Sequence, residues 1–302
     1  MMTNKSNTTM LGISKTSTLN AKRFFAYAVI LFFVLVCVLP FYIMVINATR
    51  SNNQVLSGVS LLPGQSTVDN FKNLLFGKVD PTSHIRGGGL NIPQGFLNSL
   101  IIAVSSTVLS GYFSALTAFA FVIYGFRGKK FLWALILAVI MVPTVVGLVG
   151  FYQLISNLNM VDTYWPLILP SIASPFAVFF LRQYMISSIP LSLIEASRID
   201  GASEIRIFHR IVLPLSMPGI ATISILGFLG SWNSYLLPLI VLNNKQLFTM
   251  PLLIQQLNTT LYNRDFGAMS MGIAISIVPI LLMFIFFSKF LIEGISSGGV
   301  KE

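Results

Sequence analysis

Charged side chains are scarce in this sequence of 302 residues, of which they make up 9%. A soluble domain carries about a quarter charged residues. The scarcity excludes an ordinary water-soluble globule, a disordered chain and a soluble nucleic-acid-binding protein, so no nucleic-acid partner is expected. The one cysteine, Cys37, cannot form a disulfide within the chain and lies in an apolar run, which is typical of a small core residue.

Sequence signatures of catalysis and metal binding are also missing. Neither HExxH nor CxxC occurs, and the two histidines, His84 and His209, fall on opposite sides of the predicted membrane. The P-loop pattern GxxxxGK[ST] is absent, because neither Gly-Lys pair is followed by Ser or Thr. We therefore expect a non-catalytic chain that binds no cofactor or metal and cannot hydrolyse ATP by that route.

Apolar residues are abundant instead, at 55% of the chain, with a mean hydropathy of +0.81. A membrane-spanning helix needs about 20 mostly apolar residues, and about six stretches approach that length. They are Phe24–Ile46, Phe96–Tyr124, Phe131–Leu154, Trp165–Leu181, Gly219–Val241 and Met271–Phe287. Prolines interrupt several of them, and these are tolerated where neighbouring helices satisfy the freed backbone groups. The pattern predicts an all-α membrane protein with six transmembrane helices.

These six stretches contain no Asp, Glu, Lys, Arg or His. Transporters driven by ion gradients often keep ionisable side chains inside the bilayer for coupling. A sodium site could still use backbone and hydroxyl oxygens alone. A secondary transporter or channel that works without an ATPase partner therefore stays open as an alternative, and a membrane enzyme is a third hypothesis.

Lysine and arginine predict the orientation, because short cytoplasmic loops are enriched in both. Lys22 and Arg23 precede the first stretch, and further basic residues separate the second from the third and the fourth from the fifth. These positions fall on one side if the helices alternate. Both termini are therefore predicted to be cytoplasmic.

One membrane domain is predicted at 24–292, with polar cytoplasmic tails at 1–23 and 293–302. The N-terminal tail is rich in Ser, Thr and Asn and is expected to be disordered. An external loop at 47–95 contains Val68–Phe76, which has the pattern of a short amphipathic helix.

The segment 187–218, between the fourth and fifth stretches, is too charged to cross a bilayer but is strongly patterned. Ser192 and Glu195 have the spacing of a capping box, which predicts a short helix over Leu193–Asp200. Gly201 then supplies a turn. A second helix is predicted to begin near Ser203 and to continue to about residue 212.

Two interpretations of this pair of helices stay open on the residues alone. It is either an interfacial amphipathic segment that anchors the loop to lipid, or a rigid knob that docks into a groove of a cytoplasmic partner.

Within this loop, Glu195-Ala196-Ser197 is followed at fixed spacing by Gly201 and by Ile211-Val212-Leu213-Pro214. The spacing resembles the EAA loop of binding-protein-dependent ABC importers. In that loop, three residues separate E-A-A from G, and nine residues separate that G from I-x-L-P. Ser197 replaces the second alanine, which keeps a small side chain. The resemblance implies the type I ABC importer permease fold. It also implies that the loop contacts an ATPase through Glu195, Ala196, Ser197, Asp200, Gly201, Ile211, Leu213 and Pro214.

Other segments resemble the carbohydrate branch of these importers, the maltose-permease-type subunit. They are Asn98-Ser99-Leu100, Trp232-Asn233, Pro238-Leu239-Ile240 and the ending Gly294–Lys301. The resemblance covers essentially all of the chain after the N-terminal tail. It implies a permease subunit that forms half of the translocation pore for a sugar or oligosaccharide.

The resemblance also implies partners in the bacterial plasma membrane. These are a second permease, non-identical in this family, two ATPase subunits that bind ATP and Mg, and an extracytoplasmic sugar-binding protein. The tail residues Gly298, Gly299, Val300 and Lys301 are implied to reach between the ATPase subunits, whereas the alternative is a frayed terminus.

Sugars are usually held by aromatic faces and hydrogen-bonding side chains. Candidates for the substrate path are Trp232, Asn233 and Tyr235 in the fifth stretch, with Tyr112 and Asn98 in the second. The alternative is that these residues serve helix packing and the interfacial belt. We favour the alternative, because the maltose-type family places most sugar contacts on the partner permease.

Overall fold

The computed structural model describes residues 8–77, 90–259 and 265–299, and every regular element in these ranges is helical. The α-helices are α1 (Thr8–Thr49), α2 (Asn52–Leu56), α3 (Thr67–Phe76), α4 (Ile92–Ile123), α5 (Lys129–Met141), α6 (Leu148–Asn157), α7 (Trp165–Ile168), α8 (Pro175–Ser188), α9 (Leu191–Ile199), α10 (Glu204–Ile207), α11 (Leu213–Leu215), α12 (Met217–Trp232), α13 (Leu236–Val241), α14 (Met250–Thr259) and α15 (Phe266–Gly299). Short 3-10 segments cover Thr144–Gly147, Leu169–Ile172 and Lys245–Leu247, and a π-helical turn covers Phe208–Val212.

Four helical segments in these ranges are long and apolar enough to cross a membrane. They are Arg23–Thr49, Ile92–Ile123, Trp165–Ser188 and Phe266–Lys289. They confirm the first, second, fourth and sixth predicted stretches as helical. The prolines of α1 and α15 lie inside continuous helix, as the sequence predicted for the sixth stretch.

The third and fifth predicted stretches are not straight helices. The third bends by 92° between α5 and Thr144–Asn157, and Pro143 lies at the break. Proline lacks the N–H of an α-helical hydrogen bond and its ring clashes with the preceding turn, so the expectation that Pro143 is accommodated within one helix was wrong. The fifth ends its main helix at Trp232 and resumes only at Leu236. The described residues hold six spans if each bent pair counts as one.

The arm that precedes α12, Glu204–Leu215, is bent from it by 74°. It carries Glu204, Arg206 and Arg210, whose charges make it part of the loop rather than of the apolar layer.

The polar N-terminal segment is helical from Thr8 onward, as the beginning of α1. The prediction of a disordered tail is therefore wrong for residues 8–20. Between Thr8 and the apolar run there is no proline and only one glycine, so nothing in this segment terminates a helix that the apolar run extends. Residues 1–7 lie outside the described ranges.

Residues 8–72 with 265–274 form one compact unit. At its centre the buried guanidinium of Arg50 donates to three oxygens, among them the carbonyl of Gly58 at 2.9 Å. The side-chain amide of Asn70, in α3, donates to the carbonyl oxygen of Arg50 at 2.8 Å. The predicted helix over Val68–Phe76 is thus confirmed, and hydrogen bonds attach it to the end of α1. Residues 78–89 of the predicted external loop lie outside the described ranges.

The described residues of 73–259 with 275–299 form the second unit, in which α4 packs along both α12 and α8. Trp232, at the end of α12, stacks on Phe228 and meets the edge of Phe96 from α4. Its indole N–H donates to the carbonyl oxygen of Ser276 at 3.0 Å. The largest buried aromatic side chain of this unit therefore joins α4, α12 and α15.

The contact between α8 and α12 depends on the absence of a side chain at Gly219. A Cβ atom at this position would lie 2.8 Å from Cγ of Tyr184 and 2.9 Å from its Cδ1. These are the inner atoms of the ring, which cannot move without shifting α8.

We predict that Gly219→Ala lowers the stability of the chain in detergent by about 1–3 kcal/mol, because the added methyl group overpacks this contact. The measurement is thermal unfolding monitored by size-exclusion chromatography. Gly150→Ala is the matched control, since its Cβ would meet open space and helix propensity alone would favour it. Adding Tyr184→Ala to Gly219→Ala should restore part of the loss. Equal stability of the two single glycine variants would contradict the prediction.

Candidate coupling loop and hydroxyl-lined cavity

The first short helix of the 187–218 loop is α9, which begins at Leu191 with Pro190 as its N-cap. Ser192 lies inside this helix, and no side chain caps its first turn. The predicted capping box of Ser192 and Glu195 is therefore wrong. Proline at the cap has φ −66°, already suited to helix entry, so the helix begins two residues before the position that the serine pattern indicated.

Gly201 ends α9 as the sequence predicted. Its φ is +79°, a left-handed conformation that favours glycine. The amide of Gly201 donates to the carbonyl oxygen of Arg198, and the amide of Ala202 donates to that of Ser197, each at 3.0 Å. This pair of bonds is a Schellman motif, which satisfies the last carbonyl groups of the helix and fixes the direction of the chain after it. We call residues 191–207, comprising α9, this turn and α10, the elbow.

The elbow is anchored to the membrane helices by apolar side chains. Ile194 from α9 and Ile207 from α10 are 1% and 0% exposed. They pack in one cluster with Phe119 of α4 and Leu181 and Met185 of α8. Burying a large aliphatic side chain stabilises by about 1.5–3 kcal/mol, so the two isoleucines hold the elbow firmly against α4 and α8.

A polar contact adds to this anchoring. The Arg198 guanidinium donates to both carboxylate oxygens of Glu204, at 2.7 Å and 3.1 Å, and closes the turn between α9 and α10. The hydroxyl of Tyr124, just past the end of α4, donates to the same carboxylate at 2.5 Å. Hydrogen bonds from Arg198 and then Tyr124 hold the pKa of the Glu204 carboxyl below its ordinary value.

The opposite face of the elbow is apolar and uncovered within this chain. Ile199 is 86% exposed and Ile205 is 73% exposed. Glu195, Ala196 and Asp200, three of the predicted contact residues, are exposed beside them. A face of this kind, presented by a rigid base, is what a docking surface or a lipid anchor requires.

The predicted second helix of the loop is regular only over α10, after which the chain forms the π-helical turn Phe208–Val212. Ser203 caps α10 by accepting from the amide of Arg206. Ile211 and Leu213 pack partly buried against the same cluster as Ile194. Pro214 follows, and its missing N–H prevents an ordinary α-helical bond at this point.

Tyr112, one of the predicted substrate-path residues, lies beside this loop. Its hydroxyl is 3.1 Å from Nε2 of His209, and its ring meets the edge of Phe208. Nδ1 of His209 lies 2.9 Å from the carbonyl oxygen of Ile205, which can only accept. In a neutral imidazole Nδ1 therefore carries the proton, and Nε2 accepts from Tyr112.

Three of the other predicted substrate-path residues serve packing contacts. The buried amide of Asn98 donates to the carbonyl oxygens of Gln246 and Phe248, at 2.8 Å and 3.0 Å. Trp232 is buried in the aromatic contact with Phe228, and Tyr235 packs in the cluster around Val241. Asn233 is exposed at the end of α12. Their contact with a substrate stays a prediction.

A cavity of about 340 Å³ lies between α4, the 3-10 segment Leu169–Ile172 and the end of α12. Its lining includes seven serines and one threonine. Ser99, Ser106, Ser110, Ser231, Ser234 and Thr249 are among them. We call it the hydroxyl-lined cavity. None of the five predicted substrate-path residues is among its lining residues.

The spacing of small and hydroxyl residues along α4 and α12 indicates this cavity, whereas the aromatic and amide residues predicted from the sequence do not. On α4, Ser99, Ser106 and Ser110 recur at helical spacing, and on α12 Gly227, Gly230 and Ser231 do the same, with Ser234 next in the series. Small and polar residues on one face of an apolar helix mark either close packing or a polar path.

The predicted tail contacts fall at the edge of what the structure describes. Gly298 and Gly299 are the last residues of α15, whereas Val300 and Lys301 lie outside the described residues. Within the residues that the structure describes, no group of three His, Cys, Asp or Glu side chains could hold a metal ion.

Comparisons with known proteins give one consistent picture. The family model for the binding-protein-dependent transport system inner membrane component matches residues 95–291. The arabinooligosaccharides transport system permease protein AraQ of Bacillus subtilis (strain 168) is 34% identical, over 91% of this chain and 95% of that protein. The sn-glycerol-3-phosphate transport system permease protein UgpE of Brucella abortus (strain 2308) is 29% identical, over 87% and 92%.

A solved structure shares the fold. It is a chain of a bacterial ABC transporter involved in the import of the acidic polysaccharide alginate, with a TM-score of 0.72 and 19% identity. The match covers 96% of this chain and 100% of the other. It confirms the fold class predicted from the sequence.

We predict that Glu204→Gln loosens the elbow, because it removes the charge that holds Arg198. The pair is exposed and its contribution is modest, so hydrogen exchange of the amides at 200–203 should accelerate about two- to five-fold. Because hydrogen bonds from Arg198 and Tyr124 hold the pKa of Glu204 below its ordinary value, the ion pair is complete at neutral pH and is lost only when the pH falls below the ordinary range of a glutamate carboxyl.

Glu195→Gln is the matched control for this experiment, since it removes an exposed carboxylate from α9 without touching the Arg198 contact. Equal exchange rates in the Glu204→Gln variant and the unaltered protein at pH 7 would show that the ion pair does not hold the turn.

Proposed function

Because the chain belongs to the family of binding-protein-dependent transport system inner membrane components, we propose that it forms half of the translocation pore of an ATP-driven importer for a sugar or oligosaccharide. The observation that carries the proposal is the elbow. It exposes large apolar side chains on its outer face and is held by buried side chains on its inner face, which supports a role in docking to an ATPase.

The elbow has the properties that transmission of force needs. Ile194 and Ile207 fix it to α4 and α8, so that a displacement of α9 must also displace those helices or break their packing. The exposed Ile199 and Ile205 supply apolar area for a cleft on a partner. Such a contact can deliver energy to a chain that has no P-loop of its own.

Residues of the family pattern take the contact role in this proposal. Exposed Glu195, Ala196 and Asp200 meet the ATPase directly, while Ser197 and Gly201 shape the end of the coupling helix α9. Ile211, Leu213 and Pro214 connect the elbow to α12. The tail residues Gly298, Gly299, Val300 and Lys301 contact the same ATPase subunits in this proposal.

The full assembly proposed here contains a second, non-identical permease, two ATPase subunits and an extracytoplasmic sugar-binding protein. ATP and Mg bind to the ATPase subunits. Energetic coupling between two binding sites is reciprocal, so arrival of the loaded binding protein outside favours closure of the ATPase dimer inside.

The orientation follows from charge. With the elbow and both termini in the cytoplasm of a bacterium, the basic residues of the short loops lie on the cytoplasmic side. The end of α4 at Ile92 and the end of α12 at Trp232 then lie towards the outside, and so does the hydroxyl-lined cavity between them.

The substrate class is supported by the relatives. AraQ is described as a permease for arabinooligosaccharides and UgpE as one for sn-glycerol 3-phosphate. A saccharide is the proposal for this chain, since the relative with the higher identity is named for one. A transporter that works without an ATPase is not favoured by membership of this family.

We predict that Ile199→Asp abolishes copurification with the ATPase subunits and lowers ATP-dependent uptake at least ten-fold. A loss of about 1.4 kcal/mol of binding free energy weakens the affinity for the ATPase ten-fold. Burying an unpaired carboxylate in an apolar cleft costs more than that. The measurements are affinity copurification and uptake into proteoliposomes that hold the complete transporter. Val59→Asp is the control, because Val59 is equally apolar, is 77% exposed and belongs to the external segment.

If the elbow is a lipid anchor, the expected copurification of the ATPase is the opposite. If the outer face of the elbow lies in the membrane interface, Ile199→Asp leaves the copurified ATPase unchanged. That result would contradict the proposed coupling role.

A further inference from the structure

We propose that the hydroxyl-lined cavity is a passage site on this subunit for a neutral saccharide unit, selected against anionic ligands. The inference rests on the proposed function and adds to it a location and a charge class for the substrate. It differs from the five aromatic and amide candidates, whose side chains lie elsewhere.

The first observation is an unpaired hydroxyl. Thr249 is 4% exposed and lines the cavity, and its Oγ1 has no hydrogen-bond partner among the described residues. A buried hydroxyl without a partner costs free energy, so its position at a cavity wall indicates a polar occupant. A stripe of serines alone would be consistent with helix packing, and the unpaired hydroxyl of Thr249 at the cavity wall is an additional observation that points to a ligand.

The second observation is the mixture of donors and acceptors. Ser99 accepts from the amide of Met250 at 2.8 Å, which leaves its own proton available to a ligand. Ser106 donates to the carbonyl oxygen of Leu167 at 3.3 Å and keeps acceptor capacity. A saccharide hydroxyl is likewise both donor and acceptor, so it can pair with either kind of group.

The third observation is the charge of the wall. None of the described residues that line the cavity is Asp, Glu, Lys, Arg or His. A phosphate or carboxylate that entered would lose its hydration without gaining a cationic partner. The wall therefore favours a neutral saccharide over an acidic or phosphorylated one.

The size and the lack of aromatic residues agree with a passage site. At about 340 Å³ the cavity lies near the lower end of ligand pockets, about 300–1,000 Å³, which suits a short part of an oligosaccharide. No aromatic side chain is among its described lining residues. Binding by hydroxyls alone is weak, and weak binding allows a transported ligand to leave.

Substitutions at Gly227 and Gly230 can test whether the cavity is used, because they can place a side chain in the cavity. Both line the cavity, and a Cβ atom at either would meet nothing within 4 Å. The first carbon of a larger side chain therefore has room there, and the rest of that side chain can extend into cavity space.

The transport test uses the complete transporter in proteoliposomes, with arabinotriose and galactotriose as neutral probes and glycerol 3-phosphate as the anionic probe. We expect uptake of a neutral probe. Gly230→Leu should lower it at least ten-fold, and Thr249→Val should lower it several-fold, while ATP hydrolysis stimulated by the binding protein persists. Gly150→Leu and Thr222→Val are matched controls, because neither position lines the cavity and Thr222 pairs with its own helix.

The other outcomes of the transport test contradict the passage site, its charge class or the proposed function. Unchanged uptake by both Gly230→Leu and Thr249→Val overturns the passage site. Uptake of glycerol 3-phosphate but of neither saccharide overturns the charge class and leaves an importer in place. Loss of the second permease from the purified Gly230→Leu complex shows that this face is a packing interface, which also overturns the site. A wild-type complex without ATP-dependent uptake of any probe contradicts the proposed function itself.

A labelling experiment tests the cavity without transport. The single native cysteine is replaced by Cys37→Ser, and Ser231→Cys is introduced into the complex. A neutral, membrane-impermeant thiol reagent should label it, and the saccharide-loaded binding protein with a non-hydrolysable ATP analogue should slow labelling at least three-fold. Val59→Cys, outside the cavity, should show no such protection. Absence of labelling in every state, or equal slowing at both positions, overturns the site.

Discussion

The burial of Ile194 and Ile207 against α4 and α8 is the interaction on which the rest of the loop depends. Without it, the short helices α9 and α10 would be marginal in water, because helices of fewer than about 12 residues gain little stability from their own hydrogen bonds. With it, the Schellman turn at Gly201 and the ion pair of Arg198 and Glu204 act on a unit that is already fixed. The exposed isoleucines at 199 and 205 are then presented at a defined position rather than sampled by a flexible loop.

Helix α4 contacts the elbow and also lines the hydroxyl-lined cavity. α4 has 32 residues and is about 48 Å long. Phe119 and Ala115, in its C-terminal half, pack with the elbow, and Ser99 and Ser106, in its N-terminal half, line the hydroxyl-lined cavity. A force applied to the elbow is therefore applied to a rigid element whose far part forms the cavity wall. This arrangement gives a physical route for coupling, whose energetic strength is a property of the assembled transporter.

The polar side chains among the described residues that line the hydroxyl-lined cavity are hydroxyls rather than charged groups. In an apolar bilayer, a serine can satisfy itself on its own helix and turn outward when a ligand arrives, at a small cost compared with desolvating a charge. A neutral path of this kind needs no counter-ion and leaves energy input to the cytoplasmic partner. The scarcity of charged residues and the exposed face of the elbow are thus related, because a chain with a neutral path takes its energy from a partner that docks on the elbow.

The sequence alone determined the helical class, most of the membrane-crossing stretches and the glycine elbow, because these depend on local composition and on spacing along one helix. The tertiary structure decided the bend at Pro143, the cap at Pro190 and the π-helical turn after Ile207, since each reflects competition between backbone bonding and packing. It also decided which side chains surround the cavity, where Thr249 joins serines that are more than a hundred residues away in the chain. Periodicity shows which residues share a face of one helix, but only packing shows which faces meet.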